Sequence, residues 1–541
     1  MDIMQSRRAF LKTATVALGG AAVAGLAGCA PAANTASNDT ASSVGDISWD
    51  EETDVIVVGG GLAGLAAAVT VATEGNGAKC LLLEKSPLET GGGNSAFAAG
   101  MVLWTKDPEN FAEYVRELRG EMDNVPDDVV DAYAQGIAEN LDWLRGLPGF
   151  SEDDVIVSEY FEPGTGESCY PEYGEMPHAY SLGRVRFNPE NANGNTQVTP
   201  FMNNVKKQFA DVITHKTTAP VTALVQDPET KEVLGVVYTD GSSSKYAKAT
   251  KGVIMCCGGF ENNAQMKADY LSGPWARRIA GEYNEGDGIT MCARAGADMW
   301  HMNSCAGFWT SMSPIDGDVC LMRTPKDQGI TVAINGQRFY MDWDGDVCED
   351  WESYDTGDLA SHVGSRHGHM QFGGEWPHLP MPAKTWFITD TPGYTSILEN
   401  KMMAIDFDPM DGWGFTADTI EELAGKIEVP ADVLATTVSQ WNECVANGND
   451  VYFHRPANKM KAIEEGPFYA LFCAPTMLNT DGGPRRSAKG EVLDLDGEPI
   501  PHLYSAGEFG SVWANMYQGA GNLGECLAFG RISVRNCLGI A

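Results

Sequence analysis

The residues best suited to chemistry stand near the start of the chain. Gly59, Gly61 and Gly64 have the spacing G-x-G-x-x-G, and Glu84 follows 25 positions after the first of them. Gly59 permits a tight turn, Gly61 leaves room for a pyrophosphate against the backbone, and Gly64 lets a helix pack closely on a strand. The anion then meets the free N–H groups of a helix N-terminus, which Leu62 and Ala63 open. The carboxylate of Glu84 is placed to take the two hydroxyls of an adenosine ribose, which favours NAD or FAD over a 2′-phosphate.

These residues need a particular scaffold, and the sequence around them supplies it. Asp54 to Val58 is a short, β-branched, apolar run of the kind that forms a strand buried on both faces. The Ala/Leu-rich segment from Leu62 to Ala68 reads as a helix. Leu81 to Leu83 reads as a second strand that closes on Glu84. A glycine triplet alone says little, but strand, turn, helix and acidic strand end in register point to a dinucleotide site.

At 541 residues the chain is long enough for two or more domains. Ser6-Arg7-Arg8-Ala9-Phe10-Leu11-Lys12 precedes a mild apolar segment from Ala14 to Ala27, too short for a stable membrane span. Paired arginines before a weak apolar region read as a twin-arginine export signal. Leu26-Ala27-Gly28-Cys29 resembles a lipoprotein cleavage box with Cys29 lipidated; the alternative is a plain signal peptide cut near Ala30 or Ala33. From Pro31 to Trp49 the composition is that of a flexible tether.

The chain carries 37 basic and 74 acidic residues. Without residues 1–28, which hold three basic residues and one acidic, the net charge is −39. Such an excess excludes nucleic acid and anionic lipid surfaces as partners and suits a basic electron carrier. The 13 cysteines include no C-x-x-C pair and no C-x-x-C-H site, so neither zinc nor covalent haem is expected. His362, His367 and His369 lack an acidic partner in a regular spacing and read as a polar loop, leaving no metal site.

Further along, Phe111 to Leu147 shows helical apolar spacing, and Pro220–Val225 and Val233–Tyr238 read as a hairpin around Asp227. Glu159 to Thr199 shows no clear period. Gly252 to Cys257 is another buried strand, ending at Gly258-Gly259. Asp287, in Asn284-Glu285-Gly286-Asp287-Gly288, either approaches the cofactor or caps the helix that follows.

With the glycine-rich run Gly91 to Gly100, and again at Gly258-Gly259, Gly507-Glu508 and Tyr517-Gln518-Gly519-Ala520-Gly521, the chain resembles the fumarate reductase/succinate dehydrogenase flavoprotein superfamily, which includes the 3-ketosteroid Δ1-dehydrogenases. The resemblance implies an α/β fold with an α+β cap: a Rossmann-like FAD-binding domain (51–298 and 466–541) with an inserted capping or substrate domain (299–465), after a signal (1–28) and a tether (29–50). It implies non-covalent FAD, because Asn94 and Ser95 stand where covalent members have a histidine. The implied cofactor contacts are Gly59, Gly61, Leu62, Ala63, Gly64, Glu84, Lys85, Gly92, Gly93, Asn94, Ser95, Gly100, Val221, Gly258, Gly259, Asp287, Gly507, Glu508, Asn522 and Leu523.

The departures from the family pattern speak to the substrate. Fumarate reductases clamp a dicarboxylate with histidines and arginines. Here Met477-Leu478-Asn479 and Tyr517 stand in those places, so fumarate is not the expected substrate. Tyr517 and Gly521 match the Y-x-G-x-G motif in which a hydroxyl and an N–H polarise a ring ketone; alternatively Tyr517 only packs on the isoalloxazine. The acid/base position falls on Asp346, with Tyr340 or Tyr354 as alternatives.

The expectation is an exported FAD reductase of an activated C=C bond, such as that of a ketosteroid-like enone. Flavin N5 would give hydride to the β-carbon and an acid near Asp346 would protonate the α-carbon. The electrons would come from a separate donor protein, a cytochrome or flavoprotein. The alternatives are a Δ1-dehydrogenase running in reverse, a reductase of aryl acrylates that uses Arg184, Arg186 or Arg323, and a lipoprotein that binds a ligand without turnover.

Overall fold

Val55, Ile56, Val57 and Val58 are each no more than 6% exposed, as a strand with neighbours on both sides requires. The structure is a computed structural model. It describes residues 47–541 apart from 88–92, 99, 121–124, 160–170, 172, 175, 188–197, 272, 274–275, 280, 308–310, 317–327, 340–341, 343–367, 370–383, 400–409, 456 and 514–515. The calls on Cys29, Gly92, Arg323, Tyr340, Asp346, Tyr354, His362 and His367 lie outside the described residues.

The strand Glu51–Val58 is flanked in parallel by Cys80–Leu83 on one side and Ser243–Met255 on the other. Ile213–Lys216 extends the sheet beyond the first neighbour and Pro499–Ser505 beyond the second, both in parallel. Glu491–Leu493 closes that last edge antiparallel. The expected hairpin is present: Val221–Gln226 pairs antiparallel with Val233–Asp240, which in turn pairs with Ser243–Met255. Asp227 builds its turn by accepting from the N–H groups of Glu229 and Thr230 at 2.8 and 3.0 Å.

Helix Leu62–Glu74 lies on this sheet with the first ten of its residues buried, and helix Gly521–Leu538 packs across it. Gly530 makes the crossing possible, since a Cβ there would stand 2.8 Å from that of Ala66. The helical spacing of 111–147 resolves into Pro108–Arg119 and Asp127–Arg145. Asp107 caps the first by accepting from Asn110 N–H at 3.2 Å.

Within the aperiodic stretch 159–199, Leu182–Phe187 forms the middle strand of a three-stranded antiparallel sheet with Val102–Thr105 and Val155–Glu159. Its alternation is short, with Gly183 and Arg184 between the buried Leu182 and Val185, so tertiary pairing rather than pattern makes it a strand.

A second, wholly antiparallel sheet runs Ser311–Met312, Phe468–Ala474, Thr385–Thr389, Gly329–Ala333, with Gly414–Ala417 on the other side of Phe468–Ala474. Helices Ile420–Lys426 and Ala431–Asn447 cover it through Leu423, Leu434, Val438 and Trp441. The strand Phe468–Ala474 lies past the boundary drawn at 466, yet it pairs inside this sheet. Sequence order alone could not show which sheet would take it. Under the helices Arg338 bridges Asp450 at 2.8 Å and Asp342 at 3.3 Å, while Arg455 also pairs with Asp342. The two guanidinium groups lie over the Trp441 ring at 4.8 and 4.7 Å.

Candidate active site

The glycine turn is built as its spacing requires. Gly59 has φ of +105° and no room for a side chain, since a Cβ would stand 2.2 Å from the Cys256 carbonyl oxygen. A Cβ on Gly64 would stand 1.8 Å from the Gly59 carbonyl oxygen, so only glycine lets the helix close on the turn. Glu84 is held beneath it. Its Oε2 accepts from Gly60 N–H and its Oε1 from Ser86 N–H, both at 2.6 Å. Burial raises its carboxyl despite these bonds. A carboxylate has about four lone-pair positions, so two acceptor positions remain for ribose hydroxyls.

Ser95 reaches the same turn from the glycine-rich loop, and its Oγ accepts from Leu62 N–H at 2.9 Å. Asn94, beside it, donates through Nδ2 to Glu508 at 2.9 Å and to Glu261 at 3.1 Å. Gly93, Gly258 and Gly281 surround this cluster: Cβ atoms there would stand 3.5 and 2.9 Å from Asn284 Oδ1 and 2.4 Å from Asn94 Oδ1. On Gly259 a Cβ would meet the Thr480 hydroxyl at 2.1 Å. Gly507 has φ of +74° and abuts Ala63 of the glycine-turn helix. Gly100 is buried at the start of the strand that begins at Val102, and Val221 is buried at the start of its hairpin.

Two further cofactor candidates pair with each other. Lys85, two residues past the second strand, pairs with Glu285 at 2.9 Å and Asp287 at 3.1 Å. Asp287 begins its helix without a capping hydrogen bond, and Gly286 with φ of +73° makes the turn. Of the two roles weighed for Asp287, the cap is not the one taken, and its carboxylate instead pairs with Lys85.

At the other end of the site, Tyr517 is 6% exposed and its hydroxyl accepts from Asn522 N–H at 3.3 Å. Gly521 departs from expectation. Its N–H donates to the Gln518 carbonyl at 3.0 Å, because the left-handed Ala520 (φ of +71°) folds 517–521 into a closed turn before the terminal helix. Three aromatic residues missed in the sequence hold this turn. Tyr133 donates to Gly521 O at 3.1 Å and Tyr114 to Gln518 Oε1 at 2.9 Å. Trp513 stands edge-on to both Tyr133 and Tyr517, with centroids 5.8 and 5.6 Å apart. Asn522 is buried and Leu523 packs against the main core.

A second support is a buried ion pair. Arg486 donates through Nη2 to the carbonyls of Gly507 at 2.6 Å and Phe509 at 3.0 Å, and also to that of Gly510. Its Nη1 lies 3.4 Å from Glu525 Oε1. Glu525 in turn accepts from the Ser511 hydroxyl at 2.6 Å and Val512 N–H at 3.0 Å. The pair therefore fixes the turn that carries Glu508. Glu525, a lone charge in the otherwise apolar run 523–529, was the available signal, whereas Arg486 beside Arg485 gave none.

Burial pushes Glu525 up to about 7, with Arg486 opposing. A carboxyl raised in the folded state keeps its proton where the unfolded chain, at about 4.3, has lost it. Its contribution to stability is therefore full below that lower value and is lost as pH rises through about 7. The thermal midpoint of Glu525→Gln should accordingly fall less steeply than that of the parent chain between about pH 4.5 and 7. Parallel curves for the two would count against this reading.

The site fits a flavin dinucleotide. The glycine cradle admits backbone approach, and Asn94 Oδ1 and Glu261 Oε2 are buried without hydrogen-bond partners. Such orphaned acceptors call for a polyhydroxyl ligand. A family described as FAD binding domain matches residues 54–523, and the chain belongs to it. It is a FAD-dependent oxidoreductase of the fumarate reductase/succinate dehydrogenase flavoprotein superfamily, whose members act on C=C bonds.

Among its relatives, the digoxin reductase of Eggerthella lenta is 28% identical over 585 residues, covering 98% of this chain and 96% of that protein. A 3-oxosteroid 1-dehydrogenase of Mycolicibacterium smegmatis is 26% identical, covering 89% and 96%. The 3-ketosteroid-Δ4-(5α)-dehydrogenase of Rhodococcus jostii RHA1, solved with 4-androstene-3,17-dione, superposes with a TM-score of 0.61 at 25% identity. That match covers 92% of this chain and 99% of that one.

Proposed function

We propose that this chain is an exported reductase, tethered through Cys29, that saturates a C=C bond conjugated to a ketone. FAD, when bound without a covalent link, supplies the hydride. Tyr517 binds the ketone oxygen, and the single observation that carries this reading is its hydroxyl accepting from Asn522 N–H at the start of the terminal helix. A hydroxyl that accepts one hydrogen bond donates its own proton more strongly, so Tyr517 suits the charge that develops on an enolate oxygen. Gly521 holds the turn and does not supply the second donor.

The α-carbon receives its proton from the acid at or near Asp346. A neutral donor favours a ketone over a carboxylate, which in a dry site needs a cation. Among the described residues the fully buried arginines are committed: Arg455 to Asp342, Arg486 to Glu525 and three carbonyls, and Arg531 to Gly136 O and Asn140. The names of the relatives, a digoxin reductase and oxosteroid dehydrogenases, point to the same substrate class. Reducing equivalents come from a separate extracytoplasmic carrier.

The test is anaerobic oxidation of reduced viologen by the FAD-loaded chain with 3-ketosteroids, simple enones, aryl acrylates and fumarate. Turnover is expected with the ketones. Turnover with carboxylates alone would overturn the reading. Oxidation of saturated ketosteroids without any reduction of enones would reverse its direction.

A further inference from the structure

Glu261 follows Gly258-Gly259-Phe260 at the end of a central strand and is 2% exposed. Its Oε1 accepts from Thr480 N–H at 2.8 Å and from Asn94 Nδ2 at 3.1 Å, while Oε2 is unpartnered. Glu508 faces it across the same amide, accepting from Asn94 Nδ2 at 2.9 Å. Asn284 lies close enough to favour the ionised form of Glu261, yet its Nδ2 forms no well-shaped hydrogen bond.

One carboxamide thus serves two carboxylates drawn from turns more than two hundred residues apart, and among the described residues neither carboxylate has a basic partner. The other groups that face them make matters worse for a charge. Asp481, from the segment after Asn479–Thr480, and Glu525, from the terminal helix, are both acidic. Cys305 and Cys526 are neutral buried thiols beside them. Arg486, which bonds the Gly507 carbonyl next to Glu508, is committed to Glu525, and Lys267, which faces Cys305, donates to the Ala276 carbonyl at 3.2 Å. Two like charges sharing one amide in such surroundings cannot both be held.

We propose that Glu261 and Glu508 hold a single proton between them across Asn94, so that this corner of the site takes up a proton from solvent when FAD binds. The neutralised pair presents one negative charge to the dinucleotide instead of two. Burial acts on both carboxyls in the same direction, Glu508 being raised further by Glu261 and Asp481. FAD adds an anionic pyrophosphate and removes water, so the complex holds the shared proton to higher pH than the free protein does. Affinity then falls as pH rises through that window, by up to about tenfold per pH unit for one linked proton. The inference rests on FAD binding alone and not on the substrate.

The test measures FAD affinity against pH by the fluorescence of free flavin. Alongside it, infrared spectra of the full-length chain follow the carboxylic C=O band. In the parent chain the affinity should fall with rising pH as the band is lost. Glu261→Gln removes the like charge that acts most strongly on Glu508 and leaves it only Asp481 and Glu525 as acidic neighbours, so the band should be diminished at neutral pH and the fall in affinity displaced to lower pH. Asp481→Asn, outside the pair, should keep the fall. An unchanged profile in Glu261→Gln, or no fall in the parent chain, would overturn the proposal. If Glu261→Gln does not load FAD, the band decides on the apoprotein, and an unchanged band overturns the pairing.

Discussion

Gly64→Ala should purify without flavin absorbance. The added Cβ stands 1.8 Å from the Gly59 carbonyl oxygen and 3.3 Å from a Val57 methyl. Neither contact is with the far end of a flexible side chain, so the helix must lift from the strand. Forced overpacking of this kind costs about 1–3 kcal/mol or more. Here the displacement also moves the N–H groups of Leu62 and Ala63 away from the pyrophosphate position, so cofactor loss should exceed what the stability change alone would produce. Gly425→Ala is the matched control, since it lies in helix Ile420–Lys426 with nothing within 4 Å of its Cβ. That change should keep FAD and raise the thermal midpoint slightly, as alanine is favoured over glycine in a helix by about 1 kcal/mol. Normal flavin content in Gly64→Ala would show that the turn is not the cofactor's anchor.

Tyr517→Phe separates the two readings of that residue. The phenyl ring keeps the edge-on contact with Trp513, while the hydroxyl is lost and Asn522 N–H loses its acceptor. If the hydroxyl polarises a ketone, kcat should fall by about 10²–10³-fold, the scale seen when one oxyanion donor is removed, with FAD content unchanged. Leaving the buried N–H unpaired should also cost stability, about 1–3 kcal/mol, read as a lower thermal midpoint. A rate within about threefold of the parent chain would leave Tyr517 with packing as its only role.

Much of the nucleotide-binding fold is legible because its signals are local. A buried strand, a turn that excludes side chains and an acidic strand end each constrain residue type within a few positions, so Gly59, Gly64 and Glu84 declare themselves. The helices of 108–145 and the hairpin at Asp227 are local in the same sense. The ion pair of Lys85 with Asp287 was not legible, because a charge beside a glycine motif looks the same whether it meets a ligand or another charge. Their pairing across some two hundred residues appears only once the second strand and the later helix are set side by side.

By itself, then, the sequence determined the dinucleotide cradle and the family. Tertiary structure decided everything that depends on contacts between distant segments. It turned Gly521 N–H inward to Gln518, set Tyr114, Tyr133 and Trp513 around Tyr517, and took the strand Phe468–Ala474 into the second sheet. It also brought Glu261 to Glu508 and Arg486 to Glu525. The physical reason is common to all of these. Backbone conformation is constrained by neighbours in sequence, whereas burial, charge pairing and the direction of a buried N–H are set by whatever the fold packs against them.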